Sequence, residues 1–396
     1  MSELDRRLRL LQAEARQWAD EMRPHALRVD RDPDAISTLT HLAVLSRLGT
    51  LQIPAEYNPR PLLLSGERFY LTSALERVVF LEETAYGDLG ITLASPGAPM
   101  SGVVVDAMGD PAQKESFFGR LLDRPTWTFF ALTEPDRGSD AGHLQCRLER
   151  PADGGPARLH GDKRYVGNAA RADLGVVFAR IGGGPLGLGA VLVEAGTPGY
   201  SAEPIPTLGV RGAQLAALRL TGVAVPDEQV LGRHLPATRR GALGWLRTFN
   251  LLRPVVATMG VGVARAAYEY VLAQRPTARG DAGDRLARMA HDIETVRRLT
   301  RRSAEAVDRD ADDGHLASVA KVSAARLAER VTVAALQMLG PGARFEHPLL
   351  DKLARDARAV EYMEGTSTIQ RLGVFKDLLR RGVPPAGAAA RSSDQG

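Results

Sequence analysis

The chain has 396 residues, 44% of them apolar, enough for two or three structural units with sizeable cores. Its 51 basic and 47 acidic side chains are interspersed, and aromatic residues make up only 5%, so the basic stripe with interleaved aromatics of a nucleic-acid protein is missing. One cysteine, Cys146, excludes an internal disulfide framework and a cysteine-based metal site, and fits a reducing, cytoplasmic setting.

The charged start, Met1 to Arg7, lacks the apolar stretch of a signal peptide, and no apolar run approaches the roughly 20 residues of a membrane helix. Leu8, Leu11, Ala15, Trp18 and Met22 recur at helical spacing, and Pro24 ends the run. Residues 36–52 and 67–89 are predicted as further helices on either side of the Pro-rich stretch Pro54 to Pro61, with another around 111–122. Residues 1–125 are therefore expected to form an N-terminal helical domain.

The texture changes at Thr126. Trp127 to Thr133, Gln145 to Arg150, Ala157 to Val166, Leu174 to Ile181, Leu188 to Glu194 and Leu215 to Val225 are predicted strands. Short strands without intervening helices imply a central β-barrel or sandwich over 126–236, not a parallel sheet. Helical period returns near Gly241. Segments 241–274, 283–308, 315–340 and 348–382 are long, Ala- and Leu-rich, and predict a C-terminal four-helix bundle over 237–383. The Pro/Ala/Gly/Ser-rich tail, 384–396, is expected to be disordered. The fold class is α+β, in the order α, β, α.

Several motifs have ordinary readings. Gly182-Gly183-Gly184-Pro185-Leu186-Gly187 matches GxGxxG, but a strand follows it where a dinucleotide site needs a helix, so it is predicted as a hairpin turn. Gly260-Val261-Gly262 sits inside a helical pattern and is expected to allow close helix packing. The eight histidines show no metal-ligand spacing. Ser139 lacks a nucleophile elbow.

Two stretches are more informative. Leu132-Thr133-Glu134-Pro135-Asp136-Arg137-Gly138-Ser139-Asp140 follows a strand and offers hydroxyls and backbone N–H groups, although Pro-Asp-x-Gly is also a good turn sequence. Glu361-Tyr362-Met363-Glu364-Gly365-Thr366-Ser367-Thr368-Ile369-Gln370-Arg371 holds a carboxylate beside a glycine and small hydroxylated residues, where Glu364 could act as a general base.

With Gly161 to Asn168, Ala172-Asp173-Leu174, Gly209-Val210-Arg211, Val223 to Pro226, Arg253 to Ala257 and Arg355 to Arg358, this ordered set resembles the acyl-CoA dehydrogenase family from about Leu10 to Leu379. The resemblance implies FAD between the β-domain and the bundle, and Glu364 as the base that takes the α-proton of an acyl thioester while the β-hydrogen leaves as hydride to flavin N5. The thioester oxygen would be held by a flavin ribityl hydroxyl and the backbone N–H of the base. Some members carry the base in the earlier bundle helix; the matching stretch, Phe249 to Arg253, has no carboxylate.

The resemblance further implies FAD contacts from Phe130, Leu132, Thr133, Ser139, Tyr165, Gly167, Thr366 and Thr368, with Gln337 and Gly340 reaching FAD of a neighbouring subunit. Substrate contacts would come from Ser139, Arg253 and Gly365. The implied partners are an acyl-CoA or acyl carrier protein thioester, electron-transfer flavoprotein or another acceptor, and further copies in a homotetramer or homodimer. No metal is implied.

Two stretches and three single positions depart from the family pattern. Gln274 to Asp281 lacks the usual Arg-x-x-Phe-Gly, Gly340-Pro341-Gly342 follows Leu339 where His-Gly-Gly is usual, Asn250 replaces Asp, and Ala213 and Leu215 stand where Ser and Thr are common. These changes fall on positions that grip FAD or the acyl carrier, while the base is kept, which points to an unusual carrier such as an acyl carrier protein in specialised metabolism. A flavin oxidase or monooxygenase on the same fold, and a non-catalytic binding relative, stay open as alternatives, as does a structural role for Glu364 as a cap or ion-pair partner.

Overall fold

Leu8, Leu11, Ala15, Trp18 and Met22 form the buried stripe of α1 (Arg6–Met22) in the computed structural model, which describes residues 4–151, 154–184, 187–240, 242–380 and 382. After α2 (Ala26–Arg31), residues 36–52 do not form the expected helix. They fold as 3₁₀ turns, Pro33–Leu39 and Leu48–Thr50, around the four-residue α3 (Ala43–Ser46). The hydroxyls of Ser37, Thr38 and Thr50 donate to carbonyls three residues back at 2.7, 2.8 and 2.9 Å, and such local bonds compete with a regular helix.

The helix expected over 67–89 begins late. β1 (Leu62–Leu64) and β2 (Glu67–Phe69) form a hairpin across Ser65 and Gly66, both at positive φ (49° and 85°), as a two-residue hairpin turn requires. Ser73 then caps α4 (Ala74–Ala94) by accepting from the Glu76 amide. Inside α4 the backbone turns extended at Asp88 (φ −164°, ψ 122°), and the Asp88 carboxylate accepts from the Ile91 amide at 2.8 Å to restart the helix. α5 (Ser101–Met108) was not anticipated from its Gly- and Val-rich sequence, whereas α6 (Pro111–Asp123) follows its signals, with a capping box between Asp110 and Gln113.

Seven strands form one sheet: β3 (Thr128–Ala131), β4 (Arg147–Glu149), β5 (Ala157–Val166), β6 (Leu174–Arg180), β7 (Leu188–Glu194), β8 (Tyr200–Pro204) and β9 (Ala216–Val225). The sheet is mixed. Most pairings are antiparallel, but β3 and β4 both run parallel to β6, with the β4–β5 hairpin lying inside the crossover from β3 to β6. β8, short and largely exposed, gives no apolar signal in the sequence. The glycine-rich stretch joins antiparallel β6 and β7, as a hairpin should, with Pro185 and Leu186 outside the described residues. Leu174, Val176 and Phe178 of β6 pack towards α5 and α6, while Val177 and Ala179 face the other sheet core, the period-2 alternation of a strand buried on both sides.

The bundle contains α7 (Ala237–Arg240), α8 (Ala242–Gln274), α9 (Asp281–Arg309), α10 (His315–Leu339) and α11 (Ala343–Glu346). The last segment, expected as one helix over 348–382, is three: α12 (Pro348–Ala357), α13 (Ala359–Tyr362) and α14 (Ser367–Arg380). The tail expected to be disordered, 384–396, lies outside the described residues. One apolar core runs from Leu8 in α1 to Val360 in α13, so the first helices and the bundle pack on each other. Thr248–Gln274 of α8 is apolar enough by composition to cross a membrane, but it is mostly buried within this core. A Cβ at Gly262 would lie 2.5 Å from the Glu82 carbonyl oxygen, so that glycine does permit the close approach of α8 to α4.

Two buried charge networks cross these packings. Glu82 and Glu83 of α4 meet Arg265 of α8 (to Glu82 Oε1 3.1 Å, to Glu83 Oε1 2.8 Å), Arg297 of α9 (to Glu82 Oε1 2.9 Å) and Arg16 of α1 (to Glu83 Oε2 3.3 Å). Lys352 of α12 reaches Asp88 and Asp356, each at 2.5 Å, and Asp356 accepts the Val210 amide of the β-region at 2.6 Å. Replacing Lys352 with Met leaves two buried carboxylates uncompensated. Urea unfolding is expected to show a loss of about 3–5 kcal/mol. Adding Asp88→Asn and Asp356→Asn to that variant is expected to recover most of it.

Candidate active site

α13 ends at Tyr362, Met363 is extended, and Glu364 and Gly365 both take positive φ (49° and 93°) before α14 starts at Ser367. Gly365 accepts this conformation freely. Glu364 does not, and a left-handed non-glycine residue costs roughly 1–2 kcal/mol. Surrounding groups hold it there. Gln370 Nε2 donates to the Glu364 carbonyl at 2.7 Å, and Lys321 Nζ of α10 donates to the carbonyls of Glu361 and Gly365, each at 2.6 Å. The Glu361 carboxylate accepts from the Ser367 amide at 2.8 Å and the Ser367 hydroxyl at 2.5 Å, which fastens the start of α14.

The Glu364 residue is partly exposed, but its Oε2 is buried without a hydrogen-bond partner. Burial pushes this carboxyl up to about 7, against the opposing charges of Lys321 and Arg253. Arg253, on α8, donates from Nη1 to Asn250 Oδ1 at 2.7 Å, while its Nε is buried without a partner. Burial lowers the Arg253 guanidinium to about 10, with Glu364 opposing that shift. An unpartnered carboxylate oxygen under the influence of a buried and a partly buried cation, with a proton affinity near neutrality, can accept a proton from a bound molecule.

The β-region supplies the facing residues. Phe130 lies against Phe178 (ring centroids 5.3 Å) and edge-on to Phe249 (6.3 Å), one helical turn before Arg253. Leu132 belongs to the same apolar cluster. The loop after β3 is pinned from beneath. Fully buried Lys163 donates to the Leu132 carbonyl at 2.9 Å and to Glu134 Oε1 at 3.0 Å, the Arg164 amide donates to the Thr133 carbonyl at 2.9 Å, and the Glu134 carboxylate accepts from the amides of Gln145 and Cys146, each at 2.8 Å. Ser139 is exposed further along this loop.

Tyr165, at φ 60°, is 57% exposed at the end of β5, with the Arg164 guanidinium 5.5 Å from the ring centre. A side chain at Gly167 would meet nothing nearer than Leu215 at 3.7 Å, so the position is open. Asn168 is gripped through its Nδ2, which donates to the Leu93 carbonyl at 2.9 Å, while its Oδ1 is buried without a partner. Thr366 is partly buried and Thr368 exposed.

The structure thus brings Glu364, Gly365 and Arg253 together, and sets Phe130 and Leu132 against the helix that carries Arg253. It does not bring Gln337 and Gly340 there. They lie at the far end of α10, about 24 Å of helix from Lys321. Lys321 and Asn168 were not singled out from sequence. The available signal for Lys321 was a lone lysine among Ala317, Ala320, Ala324 and Ala328, the buried face of α10. Among the described residues no group of three His, Cys, Asp or Glu side chains could hold a metal.

Two family models match the chain: the acyl-CoA dehydrogenase middle domain over residues 129–223 and the acyl-CoA dehydrogenase C-terminal domain over 239–379. An acyl-CoA dehydrogenase of Bacillus subtilis (strain 168) is 30% identical over 283 residues, 68% of this chain and 73% of that one. This chain belongs to the acyl-CoA dehydrogenase family. Butyryl-CoA dehydrogenase from Megasphaera elsdenii superposes with a TM-score of 0.82 at 25% identity, covering 96% of this chain and 100% of that one. A prolyl acyl carrier protein oxidase, AnaB, shares the fold at a TM-score of 0.79 and 22% identity, covering 95% and 100%. As a family member this chain is an FAD-dependent oxidoreductase.

The Glu364 environment makes a prediction that needs no substrate. A carboxyl held near 7 in the folded state and near 4.5 when unfolded binds its proton more tightly when folded, so its contribution falls as pH rises from 4.5 through 7. Thermal and urea unfolding should show wild type losing up to about 3 kcal/mol relative to Glu364→Gln between pH 5 and 8. A difference that stays flat across this range would mean an ordinary, solvated carboxyl.

Proposed function

We propose that this enzyme desaturates an acyl thioester between its α- and β-carbons, with Glu364 taking the α-proton. The observation that carries this reading is the buried, unpartnered Glu364 Oε2 with its proton affinity near neutrality. A carboxylate at the ordinary value would be a weaker base, and one fully ion-paired would be weaker still.

The residues present fit FAD. The exposed Tyr165 offers an aromatic face, and Asn168, three residues on, carries an unpartnered buried Oδ1 as an acceptor for a polar edge. Phe130, Leu132, Thr133 and Ser139 would line the cofactor from the β-region, the open Gly167 position would leave it room, and Thr366 and Thr368 would approach it from the bundle. Gln337 and Gly340, remote within one chain, would serve the cofactor of another copy in a homo-oligomer. FAD, when bound, supplies the two-electron acceptor for the hydride that leaves the β-carbon.

The protein's own part is the proton and the charge. The Cα–H bond breaks towards Glu364 Oε2, its electron pair forms the new double bond as the hydride departs, and a trans-2-enoyl thioester results. The thioester oxygen gains negative charge on the way, and the backbone N–H of Glu364 would donate to it. A donor fixed in a water-poor site is worth several kcal/mol to such a transition state, roughly 10²–10³ in rate. The positive charge of Arg253 favours the same build-up.

We further propose that the acyl group arrives on a carrier protein. Asn250, the replacement for the family's Asp, is only 2% exposed and is occupied by Ala311 and Arg253, so it offers nothing to a CoA adenine end. The fold is shared with a prolyl acyl carrier protein oxidase, which makes direct oxygen reactivity the second reading. Rapid oxygen consumption by the reduced enzyme would select it.

Glu364→Gln is expected to keep FAD and to lose anaerobic flavin bleaching by acyl thioesters about 10²–10⁴-fold. In wild type, kcat/KM should rise with pH through about 7, the value of the free carboxyl, and this limb should vanish in the variant. Unchanged bleaching in Glu364→Gln would move the base elsewhere. Turnover on matched acyl-CoA and acyl carrier protein thioesters is expected to favour the carrier protein, and equal or better activity with CoA would sink that part of the reading.

A further inference from the structure

Lys163, Lys321 and Lys352 are buried to 1%, 0% and 2% exposure. Lys163 is paired with Glu134, and Lys352 with Asp88 and Asp356. A buried ammonium ordinarily needs such a carboxylate, because its desolvation is otherwise uncompensated. Lys321 differs. Its hydrogen bonds go to two backbone carbonyls, those of Glu361 and Gly365, and two carboxylates act on it through space. One of these, Glu361, is already engaged with the Ser367 amide and hydroxyl. The other is Glu364, whose Oε2 is left unpartnered.

The two carbonyls lie on either side of Glu364 in the chain. One cation therefore staples the left-handed turn from both ends. It also places an ammonium group where it acts on the Glu364 carboxyl without closing an ion pair on it. A direct pair would hold the carboxylate ionised but occupy the oxygen that must receive a proton. An apolar residue at 321 would leave both carbonyls without this donor and the turn free to relax. The charged groups that act on the carboxyl are Lys321 from α10 and Arg253 from α8, while on its own segment Gln370 binds the Glu364 backbone carbonyl and Glu361 binds Ser367.

We propose that Lys321 is a positioning residue for Glu364: its two bonds to the flanking carbonyls fix the turn that carries the carboxyl, and its charge, not tied up in a direct ion pair, sets how readily that carboxyl gives up and takes a proton. The catalytic consequence rests on Glu364 being the base; the effect on the carboxyl itself does not.

The test uses the FAD-loaded enzyme and two variants, Lys321→Met and Lys321→Gln, the second keeping one donor for a carbonyl in case the first fails to fold. The Glu364 carboxyl is followed by the infrared carboxylic-acid band that Glu364→Gln removes. Loss of the Lys321 charge is expected to move the titration of this band to higher pH, with FAD content unchanged. Flavin bleaching at pH 7 is expected to slow about 10- to 100-fold, the scale of a misplaced reacting group, with half-saturation little altered and with partial recovery as pH is raised. A purely structural lysine would lower stability and leave the titration where it was. An unmoved titration in a folded, FAD-loaded Lys321→Gln overturns the proposal. If Glu364→Gln itself bleaches normally, the base assignment fails, and the infrared titration still decides what Lys321 does to the carboxyl.

Discussion

The rest of the molecule is built around Lys352, held between Asp88 and Asp356 at 2.5 Å from each. Asp88 breaks α4 and caps its second half through the Ile91 amide, so the ion pair fixes a kink as well as a contact. Asp356 passes the connection on to the β-region through the Val210 amide, itself at positive φ (47°). Next along α12, Arg355 donates to both oxygens of Asp30 (3.1 and 2.7 Å) and to the Leu208 carbonyl at 2.9 Å. Three stretches far apart in sequence thus meet on one turn of one helix. The Glu364 turn begins a few residues later, so its position relative to the β-region is inherited from this junction. Burial of such a triad is costly in itself. What it secures is a single arrangement of the three parts, which apolar packing alone would leave freer to slide.

The charge pattern near Glu364 follows the opposite logic. Around Lys352 and around Glu82 and Glu83, opposite charges meet directly, and the groups are inert. Around Glu364, cations are close but are engaged elsewhere: Arg253 with Asn250, Lys321 with two carbonyls. The carboxyl keeps a buried oxygen with no partner, at the junction of several helices. Buried unsatisfied groups are rare in folded proteins and cost stability. Here the cost coincides with left-handed backbone at a non-glycine residue, and two such penalties at one position are what a site for chemistry tolerates and an ordinary turn does not.

Much of this was legible in sequence, for particular reasons. The α–β–α order was readable because α8, α9 and α10 carry long helical stripes and β6, β7 and β9 carry compact apolar runs. The parallel pairing of β3 and β4 with β6 was not, because strand direction depends on which strands meet and not on composition. The segment 36–52 misled because its leucines recur at near-helical spacing, while its hydroxyl side chains close tighter turns. The break at Glu364 was hidden inside a helical stripe that resumes in register after Ser367. Glu364 and Gly365 were readable as a motif. Lys321 was not, because its role depends on carbonyls some 40 residues away in sequence, which a helical pattern cannot reveal.

Asn250 shows how one neutral substitution can alter the site from a distance. With the family's usual Asp at this position, Arg253 would meet a carboxylate, and its charge would be largely neutralised before reaching Glu364. Asn250 offers the same oxygen to Arg253 Nη1 at 2.7 Å and fastens itself to the Ala311 carbonyl at 3.0 Å, but carries no charge. Arg253 therefore meets no carboxylate at this position, and its buried Nε is left without a partner. The Arg253 charge works against burial in setting the Glu364 carboxyl, as does Lys321. Without both cations, burial alone would carry the carboxyl further above neutrality, where it would be protonated and unable to act as a base at ordinary pH. The same substitution that closes position 250 to an outside ligand thus leaves the interior more positive, a change that suits the enolate-like transition state proposed for Glu364.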